Sequence, residues 1–188
     1  RGIKTKKDTE EFLSPKLESV TSKSVGIDNR QLIKAIGRIQ KAIKKKEQIV
    51  IFGDYDVDGI CGTAILWETL NSLGAKVMPY IPHRIDEGYG LSSIGISNVK
   101  SQMSNLKLII TVDNGIVANK AVEFANKEGI DVIITDHHVP SNPSTGSGLP
   151  KAYAIVHTTK LCGAGVAYLL AQEVKSQKSK VKSYGDGH

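Results

Sequence analysis

The sequence predicts an α/β fold, a parallel sheet of about five strands with helices on both faces. Three observations predict it. Short runs rich in Ile, Val and Leu recur along the chain, as in strands buried on both faces. Segments with apolar residues at helical spacing separate these runs, which implies right-handed crossovers between parallel strands. Acidic or histidine residues follow three of the runs, and in such sheets the strand ends collect along one edge.

Taken in order, residues 1–25 lack sustained periodicity, contain Ser14-Pro15 and read as an N-terminal arm. The domain itself is expected over 26–178, with a tail over 179–188. From Asp28, a residue type suited to an N-cap, Leu32, Ile33, Ile36, Ile39 and Ile43 recur at helical spacing, and Lys44-Lys45-Lys46 suits the negative end of that helix. A strand enters at Gln48 and runs to Phe52. After Gly59 the period returns to 3.6, with Ile60, Ala64, Ile65, Trp67, Leu70 and Leu73, and Trp67 is expected in the core. Gly74 stops this helix. Lys76 to Ile81 reads as a second strand, and Pro82 to Leu91 as a polar loop leading into a short helix. Leu106 to Val112 is a third strand, and Ile116 to Lys127 an amphipathic helix closed by Gly129. Asp131 to Thr135 is a fourth strand, a Pro- and Gly-rich loop covers 139–151, and Ala152 to Val156 is a fifth strand. Cys162-Gly163-Ala164-Gly165 opens a last helix reaching about Lys175.

The first strand leads into Asp54-Tyr55-Asp56-Val57-Asp58-Gly59. Residues two apart in an extended segment point the same way, so three carboxylates crowd together. Two such charges 4 Å apart repel by about 4 kcal/mol at an effective dielectric near 20, and a cation turns that repulsion into attraction. The third strand ends in Asp113-Asn114-Gly115 and the fourth in Asp136-His137-His138. Asp56, Asp58, Asp113, Asp136, His137 and His138 therefore converge on one edge. Carboxylate oxygen with imidazole nitrogen suits Mg²⁺ or Mn²⁺, and histidine favours Mn²⁺. Two ions about 3.5–4 Å apart, bridged by one Asp, clamp an in-line displacement at phosphorus. Asp113, alone at its strand end, is the expected bridge. Arg84 suits a bidentate grip on phosphate, Tyr89 stacking on a base, and Gly163 and Gly165 the approach of backbone N–H groups to an anionic oxygen. Plain structural roles for these four are left open by their types alone.

The chain has 188 residues, 40% of them hydrophobic, enough for one sizeable core. Its net charge of +6 and pI near 9.2 favour an anionic partner without naming one. No apolar stretch approaches the ~20 residues of a membrane helix, and no signal-peptide pattern opens the sequence. The start at Arg1 and the Lys/Ser-rich end lead to the expectation of a fragment. Cys61 and Cys162 form no CxxC pair, which argues against a zinc site or disulfide framework and suits reduced thiols in a cytoplasmic protein. Lys175, Lys178, Lys180 and Lys182 read as a solvated helix end in preference to a nucleic-acid contact.

Four motifs in order, Asp54-Tyr55-Asp56-Val57-Asp58-Gly59, Ile81-Pro82-His83-Arg84 with Glu87-Gly88-Tyr89-Gly90, Val112-Asp113-Asn114-Gly115 and Thr135-Asp136-His137-His138, resemble those of the DHH phosphoesterases. Within that superfamily the chain is most similar to the catalytic domain of the single-strand-specific 5′-to-3′ exonucleases. Arg1-Gly2-Ile3, Phe12-Leu13-Ser14-Pro15 and the segment Cys162 to Ala167 share the likeness, which thus spans nearly the whole chain. The resemblance implies Asp56, Asp58, Asp113 and His137 as ligands of Mn²⁺ or Mg²⁺. It also implies Asp54 and Asp136 completing or orienting the shell, with His138 facing the scissile phosphate or leaving group. The implied substrate is single-stranded DNA.

Two departures from the family pattern qualify this. Phe52 stands where relatives that cleave small phosphate compounds carry His, which argues against the pyrophosphatase-like branch and leaves Asp54 to substitute. The family also adds an Asp ligand and a second, substrate-gripping domain beyond the last helix. The chain stops at His188 with Asp186 in a different context, so the second ion is expected to bind weakly. The alternatives are a nuclease for short RNA or cyclic dinucleotides, and a nucleic-acid-binding or replication scaffold without turnover. Retention of Asp56, Asp58, Asp113 and His137 together counts against the scaffold.

Overall fold

In the computed structural model, which describes residues 2–140 and 148–183 with side chains through residue 176, the five apolar runs form β1 (Gln48–Phe52), β2 (Lys76–Tyr80), β3 (Leu106–Val112), β4 (Asp131–Asp136) and β5 (Ala154–His157). Every pairing is parallel, in the order β2-β1-β3-β4-β5. The helices are α1 (Lys6–Leu13), α2 (Asn29–Lys44), α3 (Val57–Ser72), α4 (Ser93–Gln102), α5 (Asn119–Lys127) and α6 (Gly163–Ser183).

The period of two along each strand divides the core. Ile49, Ile51, Leu108, Ile110 and Val112 face α2, α3 and α6, whereas Val50, Phe52, Ile109, Val132 and Ile134 face α4 and α5. After β1 the chain goes outward to β2, then crosses back to lay β3 on the other side of β1. Helices from the two crossovers therefore cover opposite faces, and a crevice opens beyond the carboxyl ends of β1 and β3. This places the ends of the two Asp-bearing strands side by side.

The opposite edge is tied by charge. Arg38, 4% exposed, donates from Nε to Asp131 Oδ2 at 2.5 Å, from Nη1 to Glu47 Oε2 at 2.7 Å and from Nη2 to the Lys107 carbonyl at 3.0 Å. One guanidinium so joins α2 to the starts of β1, β3 and β4.

Several sequence expectations need correction. Trp67 is 39% exposed instead of buried. It sits on the α3 flank turned toward Pro79 and Ile81, while Leu66 and Leu70 fill the core side. The arm contains α1, started by a capping box between Thr5 and Asp8, and this helix buries no residue. Helix α5 begins at Asn119, not Ile116, because a turn following Gly115 intervenes. Strand β5 begins at Ala154 instead of Ala152. Helix α6 runs past Lys175 to Ser183, with neither Gly nor Pro between Gly165 and Ser183 to stop it. Residues 141–147 of the Pro- and Gly-rich loop, the end of the tail with Asp186, and the side chains of Lys178, Lys180 and Lys182 lie outside the described residues. Among the described residues no helix is long and apolar enough to cross a membrane, and Cys61 and Cys162 are free thiols.

Arg38→Ala is expected to lower stability by about 2–3 kcal/mol, read from urea denaturation. This falls somewhat below the usual cost of breaking a buried pair because the Asp131 side chain is 42% exposed. Arg38→Met, which keeps the packing, is expected to lose less.

Candidate metal centre

β1 delivers its carboxylates by ending in a turn that becomes α3. Asp54 is buried and accepts the Tyr55 N–H at 2.7 Å. Asp56 is the N-cap of α3, and its Oδ1 accepts the Gly59 N–H at 2.9 Å. Asp58, two residues further in the first turn of α3, reaches across to α6, where its two oxygens accept the N–H groups of Gly163 and Ala164 at 2.6 and 2.7 Å. The anion at this helix start is therefore internal. The Gly163 N–H, expected to approach an anionic oxygen of a ligand, is thus engaged with Asp58, the second donor is Ala164, and Gly165 is not part of this pair. The glycine at 163 has a different reason. A Cβ there would lie 2.5 Å from Asp113 Oδ1.

Asp113 is the centre of the arrangement. It follows β3 in the left-handed region at φ 62°, rare for a residue other than glycine, and is 2% exposed. Its Oδ1 lies 3.1 Å from His137 Nε2 yet is out of line for a hydrogen bond, and among the described residues it is a buried oxygen without such a partner. Asp113 also belongs to both sets of close donor atoms, Asp54, Asp56 and Asp113 on one side and Asp113, His137 and His138 on the other. Within each set the atoms lie within 4.8 Å of one another. Asp58 Oδ2 stands 3.7 Å from His137 Nε2.

The supports are hydrogen-bonded in turn. Asp136 Oδ1 accepts from His137 N, His138 N and His138 Nδ1 at 2.7, 3.1 and 2.7 Å, and Oδ2 accepts Ile116 N–H at 2.9 Å. The carboxylate thereby fixes the His138 proton on Nδ1 and leaves Nε2 for chemistry. Two supporting residues were missed in the sequence. Asn114, 1% exposed, donates to the Phe52 and Val112 carbonyls at 3.2 and 2.8 Å and accepts Leu91 N–H at 3.1 Å, tying β1, β3 and the loop before α4. An amide directly after a buried strand was the available signal. His157 Nε2 donates to the His138 carbonyl at 2.7 Å, a contact that only the alignment of β4 with β5 creates.

Protonation follows from this crowding. Burial, then the charges of Asp58 and Asp56, push Asp113 up to about 7. Burial also raises Asp54. Burial pushes Asp58 upward as well, but the Ala164 and Gly163 N–H groups outweigh it and hold the carboxyl below its ordinary range. For His138 burial favours the neutral ring, and the bond to Asp136 reverses that and raises the group.

Arg84 and Tyr89 stand at the rim. The Arg84 guanidinium lies 4.9 Å over the Tyr55 ring, Tyr55 meets Tyr89 edge-on at 6.1 Å, and the Tyr89 hydroxyl donates to the Asp113 carbonyl at 3.4 Å. No carboxylate lies within ion-pair distance of Arg84 among the described residues. Tyr55, between them, was given no role of its own in the sequence analysis.

Residues 48–186 match the model of the DHH family, N-terminal domain. The chain belongs to the DHH family. Its relatives include the single-stranded-DNA-specific exonuclease RecJ of Bacillus subtilis, 43% identical over 73% of this chain, and that of Thermus thermophilus, 37% identical over 90%. The chain spans only 18% and 24% of their respective lengths. Among solved structures, a manganese-bound exonuclease RecJ superposes at a TM-score of 0.66 with 37% identity, over 79% of this chain and 38% of that one. The Mn²⁺ complex of Thermus thermophilus RecJ gives 0.62 at 33% identity, over 79% and 21%.

The DHH domain here has donors that fit a divalent ion, since the unpartnered Asp113 oxygen sits where oxygen and nitrogen ligands converge. Two outcomes follow. Asp113 binds a proton in the folded state that an unfolded Asp, near 3.8, has released. Its contribution to stability is therefore full below about pH 4 and lost as pH rises toward 7, and His138, also raised, adds the same sign near neutrality. The metal-free melting temperature is expected to fall across that window, while Mn²⁺ affinity rises up to about tenfold per pH unit as the ion displaces the proton. Calorimetry with and without Mn²⁺ reads both. Gly163→Ala, whose methyl meets the Asp113 carboxylate, is expected to abolish the Mn²⁺-induced rise in melting temperature.

Proposed function

We propose that residues 26–178 form the catalytic domain of a metal-dependent exonuclease that hydrolyses phosphodiester bonds of single-stranded DNA from the 5′ end. The carrying observation is Asp113, a buried carboxylate with an unpartnered oxygen shared by two donor groups. The relatives named as single-stranded-DNA-specific exonucleases, and the manganese in a similar structure, support the reading.

In this reading Asp56, Asp58, Asp113 and His137 would hold Mn²⁺ or Mg²⁺, Asp113 being common to both donor sets, and Asp54 would complete the shell. Asp58 uses the lone pairs its helix contacts leave free. A divalent ion held there supplies Lewis acidity and neutralises charge at the phosphoryl group. The protein's own side chains do the rest. Asp136 orients His138 through Nδ1, so that Nε2 faces the leaving oxygen and gives it a proton, a role suited to its raised pKa. Arg84 grips a phosphate and Tyr89, with Tyr55, offers a ring face to a base. A DNA substrate and two free thiols suit a cytoplasmic protein.

The test is an Mn²⁺-dependent assay on 5′-labelled single strands. Asp113→Asn, nearly isosteric and tolerant of the left-handed backbone, is expected to lower turnover at least about a hundredfold and to lose the Mn²⁺-induced rise in melting temperature. Full activity of that variant would refute the assignment. Faster cleavage of dinucleotides than of long DNA would move the substrate to short RNA or cyclic dinucleotides. Binding without hydrolysis, sensitive to salt but indifferent to chelation, would indicate a scaffold.

A further inference from the structure

Helix α2 carries five cations, Arg30, Lys34, Arg38, Lys41 and Lys44, and no carboxylate. Arg38 turns inward to its ion pairs. The other four are exposed, and their spacings of four, seven and three residues set them in one stripe. Among the described residues none of the four lies within ion-pair distance of a carboxylate. Lys34 Nζ instead rests 4.8 Å over the Tyr153 ring, which brings an aromatic face into the stripe.

The helix dipole explains only half of this. Lys41 and Lys44 sit in the last turn, where a cation is favoured. Arg30 and Lys34 lie in the first turn and a half, where the dipole disfavours positive charge. The N-capping Asp28 carboxylate and the Tyr153 ring offset part of that cost without an ion pair, and an external anion would offset the rest. The stripe also has a direction. Gln31 Oε1 accepts the Ile155 N–H at 3.0 Å, and Thr158 Oγ1 donates to the Val25 carbonyl at 2.6 Å, so α2 starts beside the end of β5. That strand end carries His157, which holds the His138 carbonyl. From there the cations descend the molecule for about 20 Å.

We infer that the solvent face of α2 is a track for the phosphate backbone of single-stranded DNA, holding the part of the strand that extends away from the metal centre. This rests on the nuclease reading above. An even row of unpaired cations with one aromatic ring suits a flexible polyanion read without regard to sequence.

The probe is a fluorescein-labelled oligothymidylate of about 30 nucleotides. Its binding to the full 188-residue chain is followed by anisotropy in chelator between about 50 and 200 mM salt. Replacing the stripe together (Arg30→Gln, Lys34→Gln, Lys41→Gln, Lys44→Gln) is expected to lower the slope of log affinity against log salt by about 0.7 per contact, near 3 in all. Affinity at low salt should drop more than about tenfold, whereas Mn²⁺-dependent cleavage of a tetranucleotide, too short to reach down α2, is unchanged. The Lys→Arg variants at 34, 41 and 44 are expected to keep the original slope. A slope change below about 0.5, equal losses on short and long substrates, or no binding of the long strand by the unmodified chain would each overturn the track. Cleavage of neither substrate by the unmodified chain in Mn²⁺ would instead remove the nuclease reading.

Discussion

Asp113 is buried beside other carboxylates, in a backbone conformation that side chains avoid, with one oxygen left without a hydrogen bond. Each feature is unfavourable alone, and a protein of marginal stability tolerates them together only where the surroundings over-determine the geometry. Those surroundings are visible. Thr135 donates to the Thr111 carbonyl, Thr111 donates to the Asn114 carbonyl, and the Asn114 amide reaches back to β1, so three chain segments hold the turn from below. A divalent ion turns the clustered charge from a cost into a source of binding energy, and partial protonation of Asp113 is the response available without it.

The same economy appears at α6. The positive end of this helix faces the metal edge, and Asp58 neutralises it by accepting two backbone N–H groups. This pins α3 to α6 and sets one more carboxylate close to His137. Only a residue without a side chain fits at 163, because Asp113 occupies the space a methyl would fill. Glycine at 163 therefore serves the packing of protein on its own carboxylate.

Charge is segregated between the two edges of the sheet. At the amino-terminal edge, acids and a guanidinium satisfy each other and add rigidity. At the carboxyl edge, acids face one another around a gap. A stability device closes its electrostatics internally, and a binding site leaves them open. The exposed cations of α2 are open in the opposite sense, with no carboxylate at ion-pair distance among the described residues.

Strand and helix order, the parallel sheet, and the clustering of Asp54, Asp56, Asp58, Asp113, Asp136 and the two histidines were determined by the sequence alone. Period-two and period-3.6 patterns, with carboxylates directly after buried strands, are local signals. The tertiary structure decided what depends on distance between segments. It left Trp67 half out because α3 presents that flank past the edge strand, it gave the α6 amides to Asp58, and it set His157 against His138 through strand pairing. It also made Asp113 the shared member of both donor sets. No local pattern encodes these, because each arises from two surfaces brought together by topology, and which lone pair or N–H remains free is known only when both are in place.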